Sequence, residues 1–255
     1  LIELKTENEL AVLREAGRVV ARVLRAVREE AKVGTSLLDL DRLAADLLAD
    51  AGAKSSFQHY HPRFAPSPYP AVLCTSVNDA VVHGVPTGYR LADGDLLSVD
   101  FGASVDGWHG DAAISFVVGE ADPADLDLIA TTERALRAGI AQARPGNRLG
   151  DVGHAIGAIG RGAGYGLLAD HGGHGVGRAM HEAPHVPNEG RQGEGLRLRP
   201  GMVLAIEPMF LRGGNDDYRH GEDGWTLYTV NGTRAAHVEH TIAVTADGPR
   251  ILTEL

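Results

Sequence analysis

The sequence predicts an α+β fold of two similar halves, and three observations carry that expectation. Helical periodicity, strand-like runs, helical periodicity and strand-like runs follow one another along the chain, unlike the alternation of a βαβ series. The 255 residues include 33 glycines and 12 prolines, too many turn formers for an all-helical chain. Val105-Asp106-Gly107-Trp108 is a hairpin signal inside a long apolar stretch, so the pairing it predicts is antiparallel.

Thr6 and Glu9 have capping-box spacing, and Leu10, Leu13, Ala16, Val20, Val23, Leu24 and Val27 recur at helical intervals, which predicts a helix over 7–31. A second start at Thr35 and Ser36 precedes Leu37, Leu40, Leu43, Leu47 and Leu48, with Gly52 as the stop. The stretch 55–70, rich in proline and aromatics, reads as a loop. Strand-like runs follow at 71–76 and 96–118. A helix pair fits 123–143 and 149–161, broken by Pro145-Gly146, and 165–255 alternates short strands with turns. No repeat, low-complexity tract or linker marks a boundary, so 1–255 is expected to be a single domain.

A formal net charge of -10 repels phosphate backbones, and the one dense basic stretch, 191–199, is broken by glutamates and glycines, which argues against nucleic acid. Cys74 stands alone and cannot form an internal disulfide, and the opening LIELKTENEL lacks the regions of a secretory signal; a cytoplasmic location is expected. No apolar run approaches the ~20 residues that span a bilayer. The chain opens on Leu1 where an initiator methionine is expected, as it would if native residues precede it.

Asp100, Asp111, His174, Glu207 and Glu239 are spaced as ligands of a two-metal hydrolase. Four ionised carboxylates balance two divalent cations, and an oxygen-rich shell with one nitrogen suits Mn, Fe or Co better than a structural zinc. If Asp106-Gly107 forms a two-residue turn without a bulge, residue 100 pairs with 113, so Asp100 and Asp111 become diagonal neighbours on one face. The segments around Asp100, Asp111, Glu207 and Glu239 are apolar and poor in Lys and Arg, so a carboxylate buried there needs a partner or a metal. His174 lies in His171-Gly172-Gly173-His174-Gly175, whose glycines allow close backbone approach; taken alone, either histidine is more often structural.

Two tempting motifs are set aside. His181-Glu182-Ala183-Pro184-His185 matches H-E-x-x-H, but Pro184 and Pro187 forbid the helix that motif requires. A nucleophilic Cys74 with His83 as base is weak, because a cysteine flanked by apolar residues is usually a packed small hydrophobe.

The segments Cys74-Thr75-Ser76-Val77-Asn78-Asp79, Val82-His83-Gly84-Val85-Pro86, Ser98-Val99-Asp100-Phe101-Gly102, Gly110-Asp111, Gly173-His174-Gly175-Val176-Gly177, His181-Glu182-Ala183-Pro184, Pro200 to Pro208, Asp223-Gly224-Trp225-Thr226 and Val238-Glu239-His240-Thr241 together resemble type I methionine aminopeptidases. The resemblance spans nearly the whole chain and implies a pita-bread fold, with a curved antiparallel sheet flanked by helix pairs. It implies that Asp100 chelates one metal, that Asp111 and Glu239 bridge both, and that His174 and Glu207 complete the shell of the other. The cofactors implied are two divalent ions (Co, Mn, Fe or Zn), with a water between them attacking the first peptide bond.

By the same resemblance Glu207 handles the proton, His83 and His181 contact substrate, and Cys74, Trp225 and a tyrosine of the 57–70 loop, Tyr60 or Tyr69, line a methionine pocket. We place Tyr60 in that role. The implied substrates are nascent polypeptide N-termini and short peptides with a small second residue, with a transient ribosome contact and a monomeric state also expected. Two departures from the family pattern are Met180, where Phe is frequent, and a longer 59–70 segment.

Prolidase-like Xaa-Pro peptidases are the nearest enzymatic alternative, though they usually carry an extra N-terminal domain ahead of the catalytic unit. A type II methionine aminopeptidase would need a long helical insertion between Glu182 and Glu207, and there is no room for it. A non-catalytic binding protein of the same fold should have lost ligands, and all five are present.

Overall fold

The computed structural model describes residues 1–255. The first half runs α1 (Glu7–Glu30), α2 (Leu37–Asp50), β1 (Lys54–Ser55), β2 (Leu73–Val77), β3 (Ala80–Val82), β4 (Leu96–Val105) and β5 (Trp108–Val117). The second opens with α3 (Pro123–Ala141) and α4 (Leu149–Gly162). Short strands follow: β6 (Gly166–Leu167), β7 (Gly172–Gly175), β8 (Glu182–Pro187), β9 (Val203–Ile206) and β10 (Met209–Leu211). The chain ends with β11 (Tyr218–His220), β12 (Leu227–Thr229), β13 (Ala235–His237), β14 (His240–Thr245) and β15 (Gly248–Ile251).

The helices start where the sequence places caps. Thr6 Oγ1 accepts from Glu9 N at 3.3 Å and the Glu9 carboxylate accepts from Thr6 N, a reciprocal capping box; Ser36 caps α2 through Asp39 N. α1 buries Leu10, Leu13, Val20, Val23, Leu24 and Val27, each contributing about 1.5–3 kcal/mol of burial free energy. α1 lies close against β5: a Cβ built on Gly110 would sit 3.1 Å from Gly17 N, and one on Gly17 only 1.9 Å from Leu252 O. α3 ends at Ala141, two residues earlier than expected, and Gly146 at φ 93° turns the chain toward α4.

Every strand pair is antiparallel. Asp106 and Gly107, at φ 50° and 82°, form the tight turn that the sequence signals, and β4 pairs with β5 without a bulge. Asp100 faces Ala113 and Gly102 faces Asp111, the register expected from the sequence. Two expectations need correction. The strand expected from residue 71 begins at Leu73, and the loop expected from 55 begins with a short strand against β4.

By continuous hydrogen bonding the curved sheet divides into groups of 4, 3, 3 and 5 strands. The halves meet where β5 runs beside the chain from β13 into β14. Glu239 N donates to Ala113 O at 3.0 Å, Thr241 Oγ1 to Asp111 O at 2.7 Å, and His237 N to Ser115 Oγ at 3.0 Å. Alternate residues of one strand, 111, 113 and 115, thus bond to alternate residues of the other, 241, 239 and 237. Ser98 extends this seam through a 2.8 Å contact with the Ser115 hydroxyl. No helix is long and apolar enough to cross a membrane.

Candidate metal centre

The seam between the halves brings together all five side chains that the sequence singles out. Asp100 and Asp111 come from β4 and β5, His174 from β7, Glu207 from the residue after β9, and Glu239 from the junction of β13 and β14. β7 reaches the centre because its glycines let backbones close in: a Cβ on Gly173 would lie 2.0 Å from Ala205 O and one on Gly175 2.2 Å from Ala183 O. His174 Nε2 is 3.5 Å from Asp111 Oδ2, 3.4 Å from Glu207 Oε1 and 3.9 Å from Glu239 Oε1. His174 Nδ1 lies 2.9 Å from Gly175 O; donating there commits the proton to Nδ1 and leaves the Nε2 lone pair facing the carboxylates.

The carboxylates have no cationic side chain to neutralise them, since no Lys or Arg pairs with Asp100, Asp111, Glu207 or Glu239. Asp100 Oδ1, Asp111 Oδ1 and both oxygens of Glu239 are buried without a hydrogen-bond partner. Burial, and then the neighbouring carboxylates, push Asp100, Asp111 and Glu239 above the ordinary carboxylate range; burial also raises Glu207. Buried acceptors aimed at one another and left unpaired cost free energy unless a cation lies among them. The donor set, hard oxygens with imidazole, fits divalent first-row ions.

Two groups of donor atoms each gather within 4.8 Å: Asp111, His174 and Glu239, and Asp100, His237 and Glu239. Glu239 is shared between them, and Glu207 Oε1 adjoins the first through His174. His237, which the sequence analysis does not single out, adds a second imidazole beside the five expected side chains, its Nε2 3.0 Å from Glu207 Oε2. Its only sequence signal was a shared strand face with Glu239. Asp100 is half-buried as a residue, but its Oδ1 is closed off from water.

Beside the centre lies an apolar cluster of Phe57, Ala65, Tyr69, Ala71, Cys74, Met180 and Trp225, with Tyr60 and Val85 packed against it. Cys74 pairs with Asp100 across β2 and β4, so the cluster adjoins the carboxylates. Burial pushes the Cys74 thiol well up, which suits a packed hydrophobe and not a nucleophile. The two tyrosines separate by their hydroxyls. Tyr69 donates to backbone carbonyls, Leu73 O at 2.9 Å and Gly84 O at 3.2 Å, whereas the Tyr60 ring lies 5.4 Å from that of His181.

His181 stands on the rim, its ring 4.1 Å from that of His174. His83 is half-buried at φ 59°, its ring 6.5 Å from Trp225. Desolvation, and then neighbouring imidazoles, push both pKa values down, His83 to about 3. Both rings are therefore neutral at pH 7, each with one N–H and one lone pair.

The H-E-x-x-H segment is strand β8 with its flank, as the prolines require. Its Glu182 is held by Lys5: Nζ lies 2.7 Å from Oε2, with the lysine side chain 3% exposed. Burial raises the Glu182 pKa, but Lys5 and the Ala179 N–H outweigh it and leave the group below its usual value. This pair ties the first residues of the chain to the segment bearing His181. Lys5→Met is expected to cost about 2 kcal/mol in denaturant unfolding, below the ~3–5 of a fully buried pair because Glu182 is partly open to water. It should also lower turnover through a looser His181.

The model of the metallopeptidase family M24 matches residues 11–246. Among similar proteins, methionine aminopeptidase 1 of Mycobacterium tuberculosis is 50% identical over 98% of this chain and 94% of its own length. The methionine aminopeptidase of Aquifex aeolicus is 44% identical over 100% and 99%. A crystal structure of methionine aminopeptidase from Thermotoga maritima superposes with a TM-score of 0.95 at 41% identity, covering 100% of both chains. Prolidase from Pyrococcus furiosus, at 22% identity and a TM-score of 0.77 over 99% of this chain and 65% of its own, shares the fold. A carboxylate and imidazole cluster at the seam of this fold is what a metal-dependent hydrolase requires, and the match runs through every strand that supplies it: the chain belongs to metallopeptidase family M24.

Proposed function

We infer that this chain is a methionine aminopeptidase, hydrolysing the first peptide bond of polypeptides that begin with methionine and carry a small second residue. The observation that carries this reading is the apolar, sulfur-containing cluster of Cys74, Met180, Trp225 and Tyr69, which adjoins the five-residue centre through the Cys74–Asp100 pair. Relatives bearing that name, 40–50% identical over nearly the full chain, support it.

Asp100, Asp111 and Glu239 would hold one cation and Asp111, Glu239, His174 and Glu207 the other; Mn, Fe, Co and Zn all fit these donors. When bound, such ions supply Lewis acidity and lower the pKa of a water. Glu207 takes the proton from the attacking water and returns it to the leaving nitrogen. His181 and His83, neutral at working pH, donate N–H bonds to the developing oxyanion or the scissile amide. The apolar cluster receives the methionine side chain, polarisable groups against a thioether, with Tyr60 at its edge beside His181. Residues 1–255 act as one catalytic domain, because both halves supply ligands. The protein works in the cytoplasm as a monomer on nascent N-termini, with at most a transient ribosome contact.

The test is hydrolysis of Met-Ala-Ser against a Xaa-Pro series in Mn²⁺- or Co²⁺-supplemented buffer, with elemental analysis of the protein as isolated. Cleavage of the methionyl peptide is expected. Cleavage of Xaa-Pro peptides alone would make the chain a proline-directed peptidase, and cleavage of neither would make it a binding protein of this fold.

A further inference from the structure

His237 is a buried imidazole at the end of β13 to which the chemistry above gives no task. Its backbone is clamped on both sides by Ser115, whose Oγ accepts from His237 N at 3.0 Å and donates to His237 O at 2.7 Å. The side chain is 2% exposed, and its Nε2 lies 3.0 Å from Glu207 Oε2 but 4.0 Å from Glu239 Oε2. The other oxygen of Glu207, Oε1, faces His174 Nε2 at 3.4 Å. The Glu207 carbonyl is held separately by Asn188 Nδ2 at 3.0 Å.

A carboxylate that both ligates a cation and moves a proton needs a fixed orientation, because free rotation about its last bond would exchange the two oxygens. We propose that His237 is the positioning residue of Glu207: its Nε2–H donates to Oε2, so that Oε1 alone is presented to the cation. Partners of this kind behind a metal ligand typically alter affinity about 10–100-fold when removed. The competing role is a sixth protein ligand, since His237, Asp100 and Glu239 also lie within 4.8 Å of one another. The two roles exclude each other at one nitrogen: an Nε2 that carries a proton has no lone pair for a metal.

The proposal rests on the five-residue centre, and Mn²⁺ binding by calorimetry tests both. Wild-type protein is compared with His237→Leu, which fills the site without a donor, His237→Gln, which restores an N–H at a similar reach, and His174→Leu. Positioning is expected to weaken Mn²⁺ binding about 10–100-fold in His237→Leu and to recover most of it in His237→Gln. Circular dichroism of the metal-free variants should match wild type. Pulsed EPR of the Mn²⁺ protein labelled with ¹⁵N-histidine should show one directly coordinated imidazole, lost in His174→Leu and kept in both His237 variants. Wild-type affinity in His237→Leu would overturn the proposal, as would failure of glutamine to rescue, or a second coordinated imidazole in the wild type. A wild-type protein that takes up no Mn²⁺, or a His174→Leu variant that binds it unchanged, would instead remove the centre itself and the proposal with it.

Discussion

Asp111→Ala and Glu239→Ala are expected to abolish turnover, with kcat/KM falling on the order of 10³-fold or more, while the protein stays folded. Glu239 is 1% exposed and shared by both donor groups, and Asp111 adjoins His174, so either loss opens the cation positions together. Several kilocalories of transition-state stabilisation from the ions would go with them, at about 1.4 kcal/mol per tenfold in rate. Stability should move the other way in the metal-free state. Removing one of four crowded acids relieves repulsion and an unpaired buried acceptor, so the metal-free variants should melt at or above the metal-free wild type.

The same crowding gives metal-free stability a pH dependence of definite sign. Burial raises Glu207 to about 7, and burial followed by its neighbours raises Asp111 to about 8, against about 4 in an unfolded chain. Between these limits the folded state binds more protons than the unfolded one, so stability falls as pH rises from about 4 toward 8. Added divalent cation should oppose the trend, since ligation needs the ionised carboxylates and strengthens with pH. Thermal melts with chelator and with Mn²⁺ across that window measure both slopes. Full activity in either alanine variant, or a metal-free melting point that climbs with pH there, would contradict the shared-ligand arrangement.

Gly173→Ala is expected to be the most damaging conservative substitution near the centre. The added Cβ would lie 2.0 Å from Ala205 O and 3.2 Å from the Val186 Cβ, in the two strands that flank β7. Neither obstacle can rotate away, so β7 must shift, losing bonds to β8 and β9 and moving His174. Destabilisation of about 3 kcal/mol or more should accompany weakened metal binding. Gly162→Ala, at the end of α4 with nothing within 4 Å of its Cβ, is the contrasting case and should be neutral or stabilising by up to about 1 kcal/mol. Equal effects in unfolding titrations would show that close backbone approach does not set the position of β7.

Much of the centre was legible because its signals are local. The Asp106-Gly107 turn fixes the β4–β5 register, register fixes parity, and parity places Asp100 and Asp111 on one face. Glu207 and Glu239 stand out as carboxylates in apolar segments with few Lys or Arg in sequence, and in space histidines are their only basic neighbours. Pro184 likewise excludes the H-E-x-x-H reading from the sequence itself. Lys5 gives no signal, because its partner is 177 residues away, and only the structure shows that the Tyr69 hydroxyl is taken up by the Leu73 carbonyl.

By itself the sequence determined the order of helices and strands, the tight hairpin and the five ligand candidates, since periodicity, turn chemistry and the cost of a buried charge act over a few residues. The tertiary structure alone decided how the halves meet and how far each β-strand closes on the next. That seam turned His237 from a strand residue into the partner of Glu207, because contacts between residues 30 or 122 positions apart follow from packing, which local pattern does not encode.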